Sequence, residues 1–130
     1  MNKKNTSNFS SSWKGSKNPG KQRKYRANSP LHLKQKLVNA HMSKDLRKKY
    51  SKRSIRIRKG DKVKVMAGRF SGHEGKVESV ELKKTRVYVS GVEITKKDGT
   101  KRPLSIHPSN LMITDLSLED KLRQKILERK

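Results

Sequence analysis

The stretch KGDKVKVMAGRFSGHEGKV, residues 59–77, reads as a strand, an abrupt turn and the start of a second strand. Val63 and Val65 alternate with lysines, the period-two pattern of a half-buried strand. Glycines then arrive at Gly68, Gly72 and Gly75, with Arg69, His73 and Lys76 among them. Glycine admits positive φ and lets another surface come close to the backbone. Cations around such a gap favour a phosphodiester as the visitor, in a contact that sets position without reading sequence. A nucleotide-binding P-loop fails at two positions, because Phe70 and Val77 stand where Gly and Ser/Thr are required. Turn-making alone explains part of the glycine set, Gly75 above all, but leaves the cations unexplained.

Outward from this stretch the two-residue period continues through Val87 and Val89, Val92 and Ile94, Leu104 and Ile106, and Leu111 and Ile113. Parity slips between Val77 and Leu82, as it does at a β-bulge. Asp98-Gly99 marks a hairpin, and His107-Pro108-Ser109-Asn110 a turn before the last strand. Five or six short strands without long helices between them predict a mainly β fold, a small, strongly bent antiparallel barrel over residues 59–115. Ser117 then predicts the cap of a C-terminal helix within residues 116–130, with Asp120 as its capping-box partner. Leu118, Leu122, Ile126 and Leu127 would form the stripe that packs on the barrel.

The chain ahead of the barrel differs in character. Residues 1–20 are rich in Asn, Ser, Gly and Lys without periodicity and read as a disordered basic tail, its lone Trp13 solvated rather than stacked on a base. Residues 21–58 read as a basic extension. KQRKYRAN, Lys21 to Asn28, places Tyr25 inside a cationic cluster. Ser29 as N-cap and Pro30 in the first helical position open a helix over residues 30–50, kinked or broken at Ser43. Its apolar stripe would be Leu33, Leu37, Val38, Met42, Leu46 and Tyr50. Lys34, Lys36, Lys44, Arg47, Lys48 and Lys49 cover the rest, with only Asp45 opposing, which points to polyanion contact rather than to a merely solvated face.

Composition agrees. The 130 residues carry 35 Lys+Arg against 11 Asp+Glu, a net charge of +24. Residues 1–59 hold +18 of this, residues 60–115 only +4. With 29% hydrophobic residues and a mean hydropathy of -1.06, the chain can pack a small unit with polar extensions. A cationic arm of this kind repels itself until a polyanion neutralises it. The apolar runs are too short for a membrane span or a signal peptide, and no large apolar face opposes the charges as membrane-surface binding would require. The absence of Cys excludes disulfides and thiolate metal sites, and His32 and His41 would lie on opposite helix faces, so no metal is expected. Asp61, Glu74, Glu78, Glu81 and Glu93 are spread along strands and turns among lysines, with no paired-carboxylate or Ser/His/Asp pattern. An enzyme, a cofactor or a small-molecule substrate is therefore not expected.

GDKVKVMAGRFSGHEGKVESV resembles the KOW motif of SH3-like barrels. QRKYRANSPLHLKQKLVNAHMSKDLRKKY, KRSIRIRKGDKVKV and VEITKKDGTKRPLSIHPSNLMITDL extend the likeness. They resemble successive parts of the archaeal and eukaryotic form of the universal KOW-motif protein of the large ribosomal subunit, across residues 20–130. A lone KOW motif is shared with transcription elongation factors. PLHLKQKLVNAHMSK together with IHPSNLMIT is the specific part. The resemblance implies an SH3-like barrel in a cytoplasmic ribosomal protein that binds the 5′ region of large-subunit rRNA near the polypeptide exit tunnel and acts early in assembly. Other large-subunit proteins and tunnel-exit factors would be its neighbours. It implies rRNA contacts from Lys21, Arg23, Lys24 and Arg26 in the arm and from Arg69, Gly72, His73 and Lys76 in the loop. Tyr25, His32, Lys34, Lys36, Arg47, Lys48, Lys52, Arg53, Arg56 and Arg58 of the extension complete the candidate set with Lys83, Lys84 and Arg86. Residues 1–20 have no counterpart in the resemblance, and the compact C-terminus leans archaeal. A transcription elongation or nascent-RNA factor, the alternative, would place a separate α/β domain ahead of the barrel, and the stretch here is too polar to build one. A DNA-compacting protein would bind duplex DNA as well as it binds rRNA. Aromatic content of 5% argues against a single-strand binder built on stacking platforms.

Overall fold

Apolar residues two apart, valines in the central strands and Ala, Met, Ile or Leu in the others, give the strands an apolar face, and the strands curl until those faces meet. The computed structural model describes residues 9–129, in which seven strands behave this way. They are β1 (Asn39–Met42), β2 (Ser54–Arg56), β3 (Lys62–Val65), β4 (Glu74–Glu81), β5 (Arg86–Thr95), β6 (Lys101–Ile106) and β7 (Leu111–Asp115). Four helices accompany them: α1 (Pro19–Asn28), α2 (Leu31–Lys34), α3 (Lys44–Tyr50) and α4 (Lys121–Glu128). The strand order is β2-β1-β7-β3-β4-β5-β6, antiparallel at each step except the parallel pair β1–β7. β2 and β6 remain edges, so the fold is mainly β and barrel-like without being closed by hydrogen bonds.

β4 makes the bend. Its residues Glu74–Lys76 pair with β3, and from Val77, across a bulge ahead of Ser79, it pairs with β5. One strand therefore serves two layers, with Val63, Val65, Val77, Val87, Val89, Leu111 and Ile113 each at most 2% exposed between them. Gly75 sits at the crossing. A Cβ there would stand 2.6 Å from the Ser90 carbonyl oxygen and 2.9 Å from a Val89 methyl. Only glycine lets these strands approach so closely. Ile94, expected inward, is 37% exposed, because β5 beyond Gly91 pairs with β6 alone and no layer lies opposite.

The helix expected over residues 30–50 is replaced by two short helices with a strand between them. After α2 and a single 3₁₀ turn, Gln35–Leu37, the chain extends into β1. Val38 and Met42 fit a helical stripe, but with Ala40 they fit a period of two as well, and backbone partners decide between the readings. Ser43 N–H donates to Ile113 O at 2.9 Å and Ile57 N–H to Val38 O at 3.1 Å, so the extension supplies two strands and part of the core. Ser29 closes α1 instead of opening a helix, its hydroxyl donating to Arg26 O at 3.0 Å. Pro30 takes the cap position before α2. Ser43 does cap α3, accepting from Leu46 N–H at 3.4 Å.

The C-terminal helix starts at Asp120 rather than Ser117, and the expected stripe is rotated. Leu122 is 67% and Ile126 42% exposed, whereas Arg123 and Leu127 are buried. The reason is Asp61, which the sequence presents as one more solubilising acid. Its carboxylate is fully buried and takes a two-pronged ion pair from Arg123, at 2.5 and 2.7 Å. It also accepts the N–H groups of Arg58 at 2.9 Å and Ser117 at 3.1 Å. Arg123 in turn donates to Ser117 O at 2.9 Å and Arg56 O at 3.1 Å, leaving its Nε without a partner. The β2–β3 turn, the segment after β7 and α4 thus close on one carboxylate. Arg58 pairs with Asp120 and Lys52 donates to Ile126 O, fastening both ends of the helix.

A buried pair is costly to break from one side because the survivor is left charged and dry. Replacing Arg123 with Met should lower the unfolding free energy by roughly 3–5 kcal/mol in a urea titration. A loss of less than about 1 kcal/mol, the range of an exposed pair, would show that this contact does not lock the fold.

Candidate nucleic-acid interface

α1 carries Lys21, Arg23, Lys24 and Arg26 with no acid and no buried residue. Asn18 caps it, accepting from Gly20 N–H at 2.9 Å, and Pro19 begins it. Like charges three residues apart (Lys21 with Lys24, Arg23 with Arg26) weaken such a helix in isolation. Its support comes from the preceding segment. The Gln22 amide donates to the carbonyls of Trp13, Lys14 and Ser16, at 3.0, 3.2 and 2.6 Å. The Lys24 ammonium lies 4.9 Å from the Trp13 ring centre, and Tyr25 packs on Phe9 at 5.3 Å. The part of the expected tail from Phe9 to Gly20 is therefore folded onto or into α1, through a 3₁₀ turn at Ser11–Gly15. Residues 1–8 lie outside the described residues. Trp13 and Tyr25 are occupied with these contacts.

The glycine loop presents its charges as its sequence suggests. Gly68 (φ +98°) and Gly72 (φ +87°) have open space where a side chain would be. Arg69 is exposed and stands 5.9 Å from the Phe70 ring centre, and Lys76 is exposed with its backbone N–H held by Ser90 Oγ at 2.9 Å. His73 turns inward. Its Nε2 donates to Ser90 O at 2.9 Å, and a Cβ at Gly91 would strike the ring at 2.9 Å. His73 braces the loop against β5.

Several other candidates also serve the fold. Arg47 donates to Met42 O at 2.8 Å and meets His41 Nδ1 at 3.4 Å. Lys52 and Arg58 hold α4, and Lys84 pairs with Glu81 at 3.2 Å. The Arg58 guanidinium, followed by the Leu122 N–H, keeps the Asp120 carboxyl below the usual carboxylate range. His32, Lys36, Lys48, Arg53, Arg56, Lys83 and Arg86 are exposed and have no acid within ion-pair distance among the described residues.

Lys34 joins the arm to the barrel. Its ammonium donates to Ala27 O at 3.1 Å and Lys83 O at 3.2 Å, tying the end of α1 to the β4–β5 turn. A cleft of about 270 Å³ opens there, lined by Arg26, Lys34, Leu37, Lys83, Thr85 and His107. A second hollow of about 160 Å³ continues from His107 past Arg86 to Phe70, Arg69 and Gly68. One cationic run thus connects the arm, the strand turn and the glycine loop. Burial, then the charges of Arg86 and Arg26, hold the His107 pKa below the ordinary histidine value. Its Nδ1 accepts from Ser109 N–H at 3.3 Å and Ser109 Oγ lies 2.7 Å away, so the neutral ring carries its hydrogen on Nε2. The sequence marks His107 only as part of a turn, and nothing local distinguishes it otherwise. The roomier hollow under the β5–β6 hairpin, about 640 Å³, is lined by Glu78, Tyr88, Ile94 and Arg102 among others and gathers no comparable charge. Among the described residues no three metal-ligating side chains gather, and no helix is long and apolar enough to cross a membrane.

Comparison with known proteins gives the same direction. The family described as ribosomal proteins L26 of eukaryotes and their archaeal L24-type counterparts matches residues 16–130, from just before α1 to the end of the chain. A protein of Methanothrix thermoacetophila named large ribosomal subunit protein uL24 is 53% identical over 114 residues, spanning 88% of this chain and 98% of its own length. One of the same name from Korarchaeum cryptofilum is 50% identical over 112 residues, spanning 86% of each chain. With the match running through arm, barrel and terminal helix alike, the chain belongs to the family of eukaryotic L26 and archaeal L24-type ribosomal proteins.

Proposed function

We propose that this chain is a structural, non-catalytic constituent of the large ribosomal subunit in the cytoplasm, where it binds large-subunit rRNA and helps to fold it. The observation that carries this reading is the unbroken run of cations from α1 across the β4–β5 turn to Arg69, fixed to the barrel by Lys34. Each Lys or Arg that meets a phosphate releases condensed counterions, which drives association. The A-form deep groove admits few side chains, so a rigid cationic block recognises RNA shape, phosphate and 2′-hydroxyls. Residues 59–115 serve as that block and residues 21–58 as the arm that reaches between RNA helices. Family relatives named for the large subunit support the assignment. The 5′ region of the rRNA, the surroundings of the exit tunnel with their factors, and an early place in assembly are the finer parts of the proposal. The elongation-factor alternative is disfavoured, because the extension gives β1 and β2 to the barrel sheet instead of forming a separate α/β domain.

Replacing Arg69 and Lys76 together with Glu should weaken binding to large-subunit rRNA. The slope of log K against log salt should become shallower by roughly 2, about 0.9 for each phosphate that is no longer neutralised. An unchanged slope would remove the loop from the interface.

A further inference from the structure

We propose that the cleft between the end of α1, the β4–β5 turn and His107 receives a single unpaired nucleotide of the bound RNA, its base inside and its phosphate toward Arg26 and Arg86. This deepens, and rests on, the RNA-binding reading above. Three observations converge on it.

The first is size and lining. The cleft of about 270 Å³ is lined by the apolar Leu37 and Ala27 as well as by the cations Arg26, Lys34 and Lys83. A lone phosphate would leave the apolar part of that lining unused, and a paired base cannot leave its stack to reach it. An extruded nucleotide has both an apolar face and a charge to offer. Unpaired bases are the part of RNA that proteins read by stacking on guanidinium planes and by hydrogen bonds to base edges.

The second is a strained wall. Thr85 is β-branched yet has φ +52°. Left-handed backbone crowds a Cβ and is disfavoured most for branched residues. At Gly60, Gly68, Gly72, Gly91 and Gly99 the chain uses glycine for positive φ, and the other non-glycine case, Ser51 at φ +54°, is an unbranched helix C-cap. Glycine would relieve position 85 too, so a side chain is kept there against a backbone cost. Its hydroxyl donates to Lys84 O at 2.7 Å, and the residue forms part of the cleft wall. Strain that persists beside a lined cleft is a mark of a functional position.

The third is an uncommitted donor. His107 Nδ1 is taken by Ser109, which leaves the Nε2 hydrogen, and no acceptor meets it among the described residues. A neutral imidazole N–H between two arginines suits a base carbonyl, ring nitrogen or 2′-hydroxyl.

The test uses the full chain and short RNA duplexes, fully paired or with one bulged nucleotide of each of the four bases, at physiological ionic strength. Wild type should bind at least one bulged duplex about tenfold more tightly than the paired one, in keeping with the gain from one stacked base. His107→Asn keeps an acceptor for Ser109 N–H but removes the ring donor. Thr85→Gly removes the wall and suits the backbone. Both should erase most of the bulge preference while leaving paired-duplex affinity and its salt slope unchanged. Equal binding of bulged and paired RNA by wild type, or equal losses on both RNAs in the variants, would reduce the cleft to ordinary phosphate contact and overturn the proposal. Failure of wild type to bind any RNA would overturn the RNA-binding reading as well.

Discussion

The buried carboxylate of Asp61 has three chain segments to hold and one guanidinium to balance it. Around it the chain carries a net charge of +24, which opposes compaction. Valine packing supplies the drive to fold, but a sheet with two free edges and so few hydrophobic residues has little to spare. Pairing Arg123 with Asp61 puts one cation inside and neutralises it there. It also brings α4 and Leu127 over the core, so the helix that seals the barrel is positioned by charge as much as by apolar area.

The remaining cations divide by what their nitrogens meet. Lys34, Arg47 and Lys52 donate to backbone carbonyls, and each fixes a junction: arm to strand turn, β1 to α3, and the segment after α3 to the end of α4. Such contacts satisfy carbonyls that would otherwise need water, and they require no acid. Lys24, Lys49 and Arg69 lie against aromatic rings, and among the described residues only four acid–base pairs form, so most of the positive charge has no acid to balance it. Unneutralised charge on a braced scaffold is repulsive energy held in the free protein. On the proposed reading RNA phosphate would relieve it, and the brace means that little further ordering of the barrel side would be needed at that moment. His73 shows how one side chain ties into the scaffold: a candidate phosphate ligand by residue type, it donates to Ser90 O and stiffens the loop that exposes Arg69.

Much of this is legible in order along the chain. The valine alternation, the bulge at Val77, the Asp98-Gly99 hairpin, the turn at Pro108 and the Ser43 cap are local signals, and each element forms where its own residues dictate. The departures share a cause. β1 reads as helix because Val38 and Met42, four residues apart, satisfy both periods, and only β2 and β7, distant in sequence, select the extended form. The face of α4 is misleading because Leu118, Leu122 and Ile126 repeat every four residues, while the residue that orients the helix, Arg123, answers an aspartate 62 positions away. At the interface, charge composition finds the arm and the loop. It cannot separate cations that brace from cations that face outward, nor find His107, whose neighbours Arg26 and Arg86 meet it only in three dimensions.

The central claim, that the run from α1 to the glycine loop is the face that RNA covers, is tested most directly by lysine acetylation read by mass spectrometry, comparing the free chain with assembled large subunits. The account predicts strong protection of Lys21, Lys24, Lys76 and Lys83 in the subunit, since these exposed residues lie along or beside that run. Equal reactivity of these four lysines in the free and assembled states would contradict it.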